Sequence, residues 1–173
     1  VLERASARET AARVAAGAVA MRFLEEFGIT LHSHVISIGE VWANPPSSID
    51  WDAVEESPVR CADPEAAAKM MAEIDAAKEA GDTVGGTVEV IAEGVPMGLG
   101  SHVHWDRKID GLVAQALMSI NAVKAVSIGP GWDTAGLRGS QVQDVIEPIT
   151  DPAQPWQRKT NRLGGTEGGM TNG

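Results

Sequence analysis

Cysteine is nearly absent from this chain, since Cys61 is the only one among 173 residues. A single cysteine excludes an intrachain disulfide and a cysteine-based metal site, and it is compatible with a reducing compartment. The sequence also lacks an apolar run long enough to span a bilayer, and it shows no signal peptide. We therefore expect a cytoplasmic protein with no membrane partner.

Positive charge is also scarce. The chain has 14 lysines and arginines against 24 acidic residues, which gives a net charge of −10. Nucleic-acid binding requires a basic surface, so this charge balance argues against it. The acids concentrate in residues 40–82, a pattern typical of a solvated surface. The bases gather elsewhere, at Arg4, Arg8 and Arg13 and at Arg107 and Lys108. A local cationic pocket for an acidic substrate is therefore compatible with the acidic whole.

Hydrophobic periodicity and turn residues predict alternating helices and strands. The predicted helices are 7–27, ended by Gly28; 64–80, opened by Asp63-Pro64; and 108–121, capped by Asp106. The predicted strands are 31–38, 83–92 and 123–128, with a long surface loop over 40–62. Because helices alternate with strands, we predict an α/β or α+β layered fold in which helices pack on sheet.

The segment Ser6-Ala7-Arg8-Glu9 has the form of a capping box at the start of the first helix. A helix N-terminus carries unpaired N–H groups and partial positive charge, so with Arg4 and Arg8 beside it this end can hold a phosphate or another anion. The alternative is a well-capped helix whose arginines are simply solvated.

Five further blocks follow in a characteristic order. They are Gly81-Asp82-Thr83-Val84-Gly85-Gly86-Thr87-Val88-Glu89, Gly94-Val95-Pro96-Met97-Gly98-Leu99-Gly100-Ser101, Trp105-Asp106-Arg107-Lys108-Ile109-Asp110, Met118-Ser119-Ile120-Asn121-Ala122-Val123-Lys124 and Asn161-Arg162-Leu163-Gly164-Gly165-Thr166-Glu167-Gly168-Gly169-Met170-Thr171-Asn172-Gly173. In this order and spacing, together with the opening motif and Arg138-Gly139-Ser140, the chain resembles the chorismate synthase family from residue 1 to residue 173.

The resemblance implies a β-α-β sandwich, with helices packed between sheets. Members of the family are about twice as long as this chain. We therefore expect residues 1–173 to be a single-domain fragment from the central part of such a protein, with the sandwich incomplete. The family's catalytic histidines lie outside the matched segment, so no catalytic residue is named here.

The resemblance also implies an activity, a cofactor and partners. The family uses reduced FMN to convert 5-enolpyruvylshikimate 3-phosphate to chorismate and phosphate, in the shikimate pathway of aromatic amino-acid biosynthesis. The full-length protein is expected to be a homotetramer. The alternative is a non-catalytic α/β binding module that shares only the fold.

Three segments match the family's cofactor-binding positions. The first is Arg4, Ala5 and Ser6, where backbone N–H groups and the Ser6 hydroxyl would contact the flavin and Arg4 would face an anionic group. Without the resemblance, this segment is only a helix cap.

The second segment is the pair Asn121 and Ala122, at the end of the helix over 108–121. Without the resemblance, Asn121 is only a helix C-cap. The third is Gly168, where a side chain would block the approach of the cofactor. Its alternative is a flexible glycine-rich tail.

The four histidines come in two pairs, His32 with His34 and His102 with His104. A spacing of two on a strand places both members on one face, so a metal site is conceivable. No acidic or cysteine ligand pattern accompanies either pair, and we predict no metal.

Overall fold

The computed structural model describes residues 2–5, 7–148 and 156–173; of Leu2, Glu3 and Ala7 it describes only the backbone. Contacts along the chain divide it into two compact units. One unit combines residues 1–28 with 94–173, and the other is the continuous segment 29–93. That residues 1–173 act as a single domain stays a prediction.

In chain order the helices are α1 Leu2–Ala5, α2 Ala7–Glu25, α3 Trp51–Glu56, α4 Pro64–Glu79, α5 Ile109–Met118 and α6 Gly139–Val142. The strands are β1 Thr30–Ile38, β2 Val41–Trp42, β3 Gly86–Glu93, β4 Thr166–Glu167 and β5 Met170–Thr171. Short 3-10 turns span Trp105–Arg107 and Gly131–Gly136. No helix in the described part of the chain is long and apolar enough to cross a membrane.

An antiparallel sheet with strand order β2-β1-β3 organises the unit 29–93. The pairing of β1 with β3 runs from Thr30 opposite Glu93 to Ile38 opposite Gly86, with an irregularity between Val35 and Ser37. At that end of the ladder the two backbones approach so closely that a Cβ on Gly86 would collide with the carbonyl oxygen of Ser37.

Helix α4 supplies the core of this unit. The Asp63 side chain accepts hydrogen bonds from the N–H groups of Glu65 (3.0 Å) and Ala66 (3.1 Å) and so caps the helix. Met70 is fully buried, and a core forms around it from Cys61, Ala66 and Ala67. Half-buried Val35 and Ile38 pack against that core, which fixes the helix on the sheet.

The prediction of a loop over 40–62 is wrong, because this stretch contains β2 and α3. Asp50 accepts hydrogen bonds from the N–H groups of Asp52 and Ala53 and caps α3. Val54, on that helix, is fully buried. The short helix is thus stabilised by a cap and by burial of Val54, neither of which gives a periodic sequence signal.

In the unit formed by 1–28 and 94–173, α2 and α5 agree with the predicted helices, and Gly28 follows α2 at a φ of 75°. Their apolar faces are open, however. Val14 is 68% exposed on α2, and α5 has no buried residue. The prediction of helices in these two segments is therefore confirmed, and their apolar side chains remain largely exposed.

Two further predictions in this unit are wrong. Residues 123–128 form no strand, because a strand needs a partner for its ladder and the described residues provide none there. Asp106 does not cap α5. It lies in a 3-10 turn and pairs with the ring of His104 (2.7 Å), while Lys108 occupies the cap position without a side-chain bond.

Candidate functional site

A hydrogen bond joins two of the segments that were predicted to bind the cofactor. The Asn121 side-chain amide donates to the carbonyl oxygen of Ala5 at 2.9 Å, across 116 positions of sequence. Ala5 ends α1, and Asn121 lies three residues beyond the end of α5. Ser6, which follows Ala5 and was also predicted to contact the cofactor, lies outside the described residues. The structure thus brings Ala5 and Asn121 together.

The alternative reading of Asn121 as the C-cap of α5 is wrong, because Ser119 occupies that position. Ala122 adopts a left-handed backbone with a φ of 68°. This conformation is rare for a residue with a side chain, and it costs of the order of 1 kcal/mol or more. Such strain often accompanies functional sites, and here it turns the chain just beside the Asn121 contact.

The Glu9 carboxylate, near the start of α2, contacts the guanidinium groups of Arg4 and Arg13. It lies 3.7 Å from the Arg4 guanidinium and accepts a hydrogen bond of 3.2 Å from Nε of Arg13. The Arg4 side chain is 87% exposed, so it is available to a ligand. Among the described side chains at this corner, the Glu9 carboxylate faces two guanidinium groups, those of Arg4 and Arg13.

A cavity of about 230 Å³ opens beside this cluster, lined by Thr10, Arg13, Val14, Ile120 and Asn121. Apolar and polar side chains both line it, an arrangement that suits a flat apolar group carrying a polar or anionic substituent. Sequence reasoning placed Arg13 only within a basic cluster. Its spacing of four from Glu9 was the available signal, because residues four apart meet on one helix face.

Gly168 lies in the turn between β4 and β5 with a φ of 60°. A Cβ added there would meet nothing within 4 Å, so the space beside this residue is open. The next residue, Gly169, is enclosed: its carbonyl accepts from the N–H groups of Ser101 (3.2 Å) and Ile109 (2.9 Å). The hairpin is therefore a positioned element, and the expectation of a flexible tail does not hold for it.

Charged pairs hold this hairpin in place. Arg158 binds the Glu167 carboxylate through two hydrogen bonds of 2.8 and 2.6 Å, and this pairing holds the pKa of Glu167 below its usual range. Asp144, which is buried, accepts from the Thr160 hydroxyl and from two backbone N–H groups, those of Arg162 and Leu163. Burial would raise the pKa of Asp144, but these hydrogen bonds outweigh it and keep that pKa low.

No described contact joins Gly168 to the Ala5–Asn121 pair. The hairpin meets the first residue of α5, whereas Asn121 follows its last turn. A helix of 10 residues is about 15 Å long. The three predicted segments therefore form two patches, at opposite ends of α5.

The two histidines of β1 contact a carboxylate and an aromatic ring. On β1, His34 is buried and its Nε2 lies 2.8 Å from the Glu89 carboxylate. His32 stacks on Trp51, with ring centroids 4.5 Å apart. In the described ranges, no three His, Cys, Asp or Glu side chains converge as a metal site would require.

The comparison with protein families decides which family this chain belongs to. The model of the family described as chorismate synthase matches residues 1–173. The chain belongs to the chorismate synthase family. Curated chorismate synthases are similar to it throughout: that of Symbiobacterium thermophilum is 58% identical over 177 residues, that of Brevibacillus brevis 57% and that of Bacillus subtilis 55%. Each alignment covers 100% of this chain and 45% of the relative, so the chain spans about half the length of the curated chorismate synthases it matches.

A solved structure gives the same result for the fold. A crystal structure of chorismate synthase superimposes with a TM-score of 0.91 at 49% sequence identity, covering 99% of this chain and 54% of that one. The fold class expected from the resemblance, a mixed helix and sheet fold of the chorismate synthase type, is thereby confirmed.

Proposed function

We propose that this chain is the central part of a chorismate synthase, a lyase that converts 5-enolpyruvylshikimate 3-phosphate to chorismate and phosphate. The reaction is a 1,4-elimination: phosphate and one proton leave the substrate, and there is no net redox change. Membership of the chorismate synthase family over the whole chain supports this proposal. We further expect the full-length protein to act as a homotetramer in the cytoplasm.

The hydrogen bond between Asn121 and Ala5 is the observation that carries the proposal. Each residue belongs to a segment matched independently to a flavin-contacting position, and the two segments are far apart in sequence. A shared site requires them to meet in space, and they do. The cavity beside them combines apolar walls with a guanidinium group, which suits a flavin because a flavin has a flat ring system and a phosphate.

In this proposal the reduced FMN is held at one patch by Arg4, Ala5, Asn121 and Ala122. At the other patch, Gly168 leaves room for the approach of the cofactor. Reduced flavin supplies the electron density that an elimination without net redox change draws on transiently. The residues of this chain bind and orient the two anionic ligands. Arginine suits that task, because its planar fork pairs with phosphate and carboxylate oxygens.

The test is a turnover assay of the full-length protein under anaerobic conditions, with reduced FMN and 5-enolpyruvylshikimate 3-phosphate. We expect chorismate, followed by its ultraviolet absorbance, and phosphate in equal amounts, with neither product when FMN is omitted. Binding of FMN or substrate without phosphate release would instead support the alternative, a non-catalytic binding module.

A further inference from the structure

The cavity beside Asn121 has a cationic side chain that no motif assigns to a ligand. Arg13 lies on α2 and lines this cavity together with Asn121. Its Nη1 donates to the Ser119 hydroxyl at 2.8 Å, and its Nε donates to Glu9 at 3.2 Å. The guanidinium is thus oriented from two sides, by its own helix and by the residue that follows α5.

This arrangement leaves the guanidinium with capacity to bind. Arginine has five N–H donors, and among the described residues these two bonds engage two of them. The side chain is 47% exposed, so the remaining fork can be reached from the cavity. Glu9 is shared with Arg4, so the carboxylate does not neutralise both cations. A side chain that served only to pack α2 would not need this exposure.

We propose that Arg13 binds an oxyanion of the ligand, a phosphate or carboxylate group, in the cavity beside Asn121. This inference rests on the proposed function, which supplies two sources of that group: the phosphate of FMN, and the phosphate and carboxylates of the substrate. Ser119 and Glu9 act as positioning residues that hold the fork toward the cavity.

The experiment compares Arg13→Gln with Arg22→Gln in the full-length protein. Arg22 is a matched control, because it lies on the same helix, is 83% exposed and also pairs with a glutamate of that helix, Glu25. FMN and riboflavin affinities, the KM for substrate and the melting temperature are measured for each. We expect Arg13→Gln to weaken one ligand by about 10- to 100-fold, as for loss of a charge-assisted hydrogen bond, and Arg22→Gln to change nothing.

The ligand that responds identifies the source. Weaker FMN binding with unchanged riboflavin binding assigns the flavin phosphate, whereas a raised KM with unchanged flavin affinity assigns the substrate. If Arg13→Gln lowers the melting temperature but leaves every ligand constant unchanged, the proposal is overturned and Arg13 only joins α2 to Ser119.

A second variant covers loss of folding. Arg13→Lys keeps the charge but removes the planar fork, so we expect a smaller loss of affinity for the same ligand. If Arg13→Gln does not fold and a folded Arg13→Lys protein binds with wild-type affinity, the proposed role of the guanidinium fork is overturned. If the wild-type protein binds neither FMN nor substrate, the proposed function itself fails, and that outcome is distinct from one in which wild type binds and Arg13 variants bind equally well.

Discussion

Asp144 concentrates three hydrogen bonds on one buried carboxylate, and two of the donors are the backbone N–H groups of Arg162 and Leu163. These bonds tie the segment that leads into the β4–β5 hairpin to the residues just after α6. A carboxylate accepts all three bonds as an anion, and its lowered pKa records that preference. The position of Gly168 therefore depends on a charge that lies outside the site.

Replacing Asp144 by Asn should destabilise the protein by about 2–3 kcal/mol at pH 7, because an amide presents N–H donors to backbone N–H groups. The wild-type carboxylate has a lowered folded-state pKa, so its contribution is present above the unfolded pKa and is lost as pH falls through the folded pKa. The difference between wild type and Asp144→Asn should thus shrink below about pH 4. Chemical denaturation at pH 7 and at about pH 3 measures it.

Asp133→Asn is the control, because Asp133 is exposed in the same unit and the change should cost little. A deficit for Asp144→Asn that is as large at the low pH as at pH 7 would contradict the argument, since shape rather than charge would then explain it.

At the scale of elements, the close contact between β1 and β3 gives a sharp test. A Cβ at Gly86 would overlap the carbonyl oxygen of Ser37, and neither backbone can move without loss of ladder hydrogen bonds. Gly86→Ala should therefore cost about 1–3 kcal/mol of stability. Gly85→Ala, next to it, would meet nothing within 4 Å and should be nearly neutral. The free energy of unfolding in urea measures both, and equal effects would show that the strands separate easily at this end.

The elements that could be predicted from sequence have local signals. Asp63-Pro64 defines the start of α4 through a cap and a favourable first residue, and Met70 lies on its apolar face. The strand expected over 123–128 shows the limit. Its β-branched residues favour a strand, but a strand forms only when another strand pairs with it, and that pairing is set by the rest of the fold.

In the candidate site, too, local features could be predicted from the sequence, whereas tertiary contacts could not. The segments that hold Arg4, Asn121 and Gly168 could be found in the sequence because each forms a short motif. Their arrangement could not, since the Ala5–Asn121 contact spans 116 positions and the separation of Gly168 depends on the length of α5. Arg13 was missed as a ligand-binding candidate because its position beside Ser119 is a tertiary contact.

At the scale of the whole molecule, the apolar surface is notable. Val19 is 73% exposed and Phe23 64% on α2. Leu112 on α5 and Ile120, two residues beyond the end of that helix, are each more than 40% exposed. Exposed apolar side chains in such number are compatible with an interaction site. It fits the proposal that this chain functions within a larger protein.

The isolated 173-residue chain should therefore form no chorismate, even when reduced FMN is supplied. None of the five residues that line the cavity carries a side chain that exchanges a proton near neutral pH, so the proton lost in the elimination has no acceptor there. The measurement is chorismate absorbance, with the full-length protein assayed in parallel at the same concentration. Turnover by the isolated chain would contradict this prediction and would mean that a proton acceptor lies elsewhere within the 173 residues.

The pairing of Thr30 with Glu93 places the first and last strand residues of the segment 29–93 opposite each other. Because the two ends of the segment are neighbours in space, the segment forms a closed loop, and the free-energy cost of closing such a loop rises only slowly with its length. We therefore expect that the segment 29–93 tolerates replacement by the matching segment of a relative, or changes of length at its inner turns, without altering the path of the chain on either side. Grafting the segment 29–93 from a relative in which this segment differs in length is a practical way to vary this protein while the contact between Ala5 and Asn121 is kept constant.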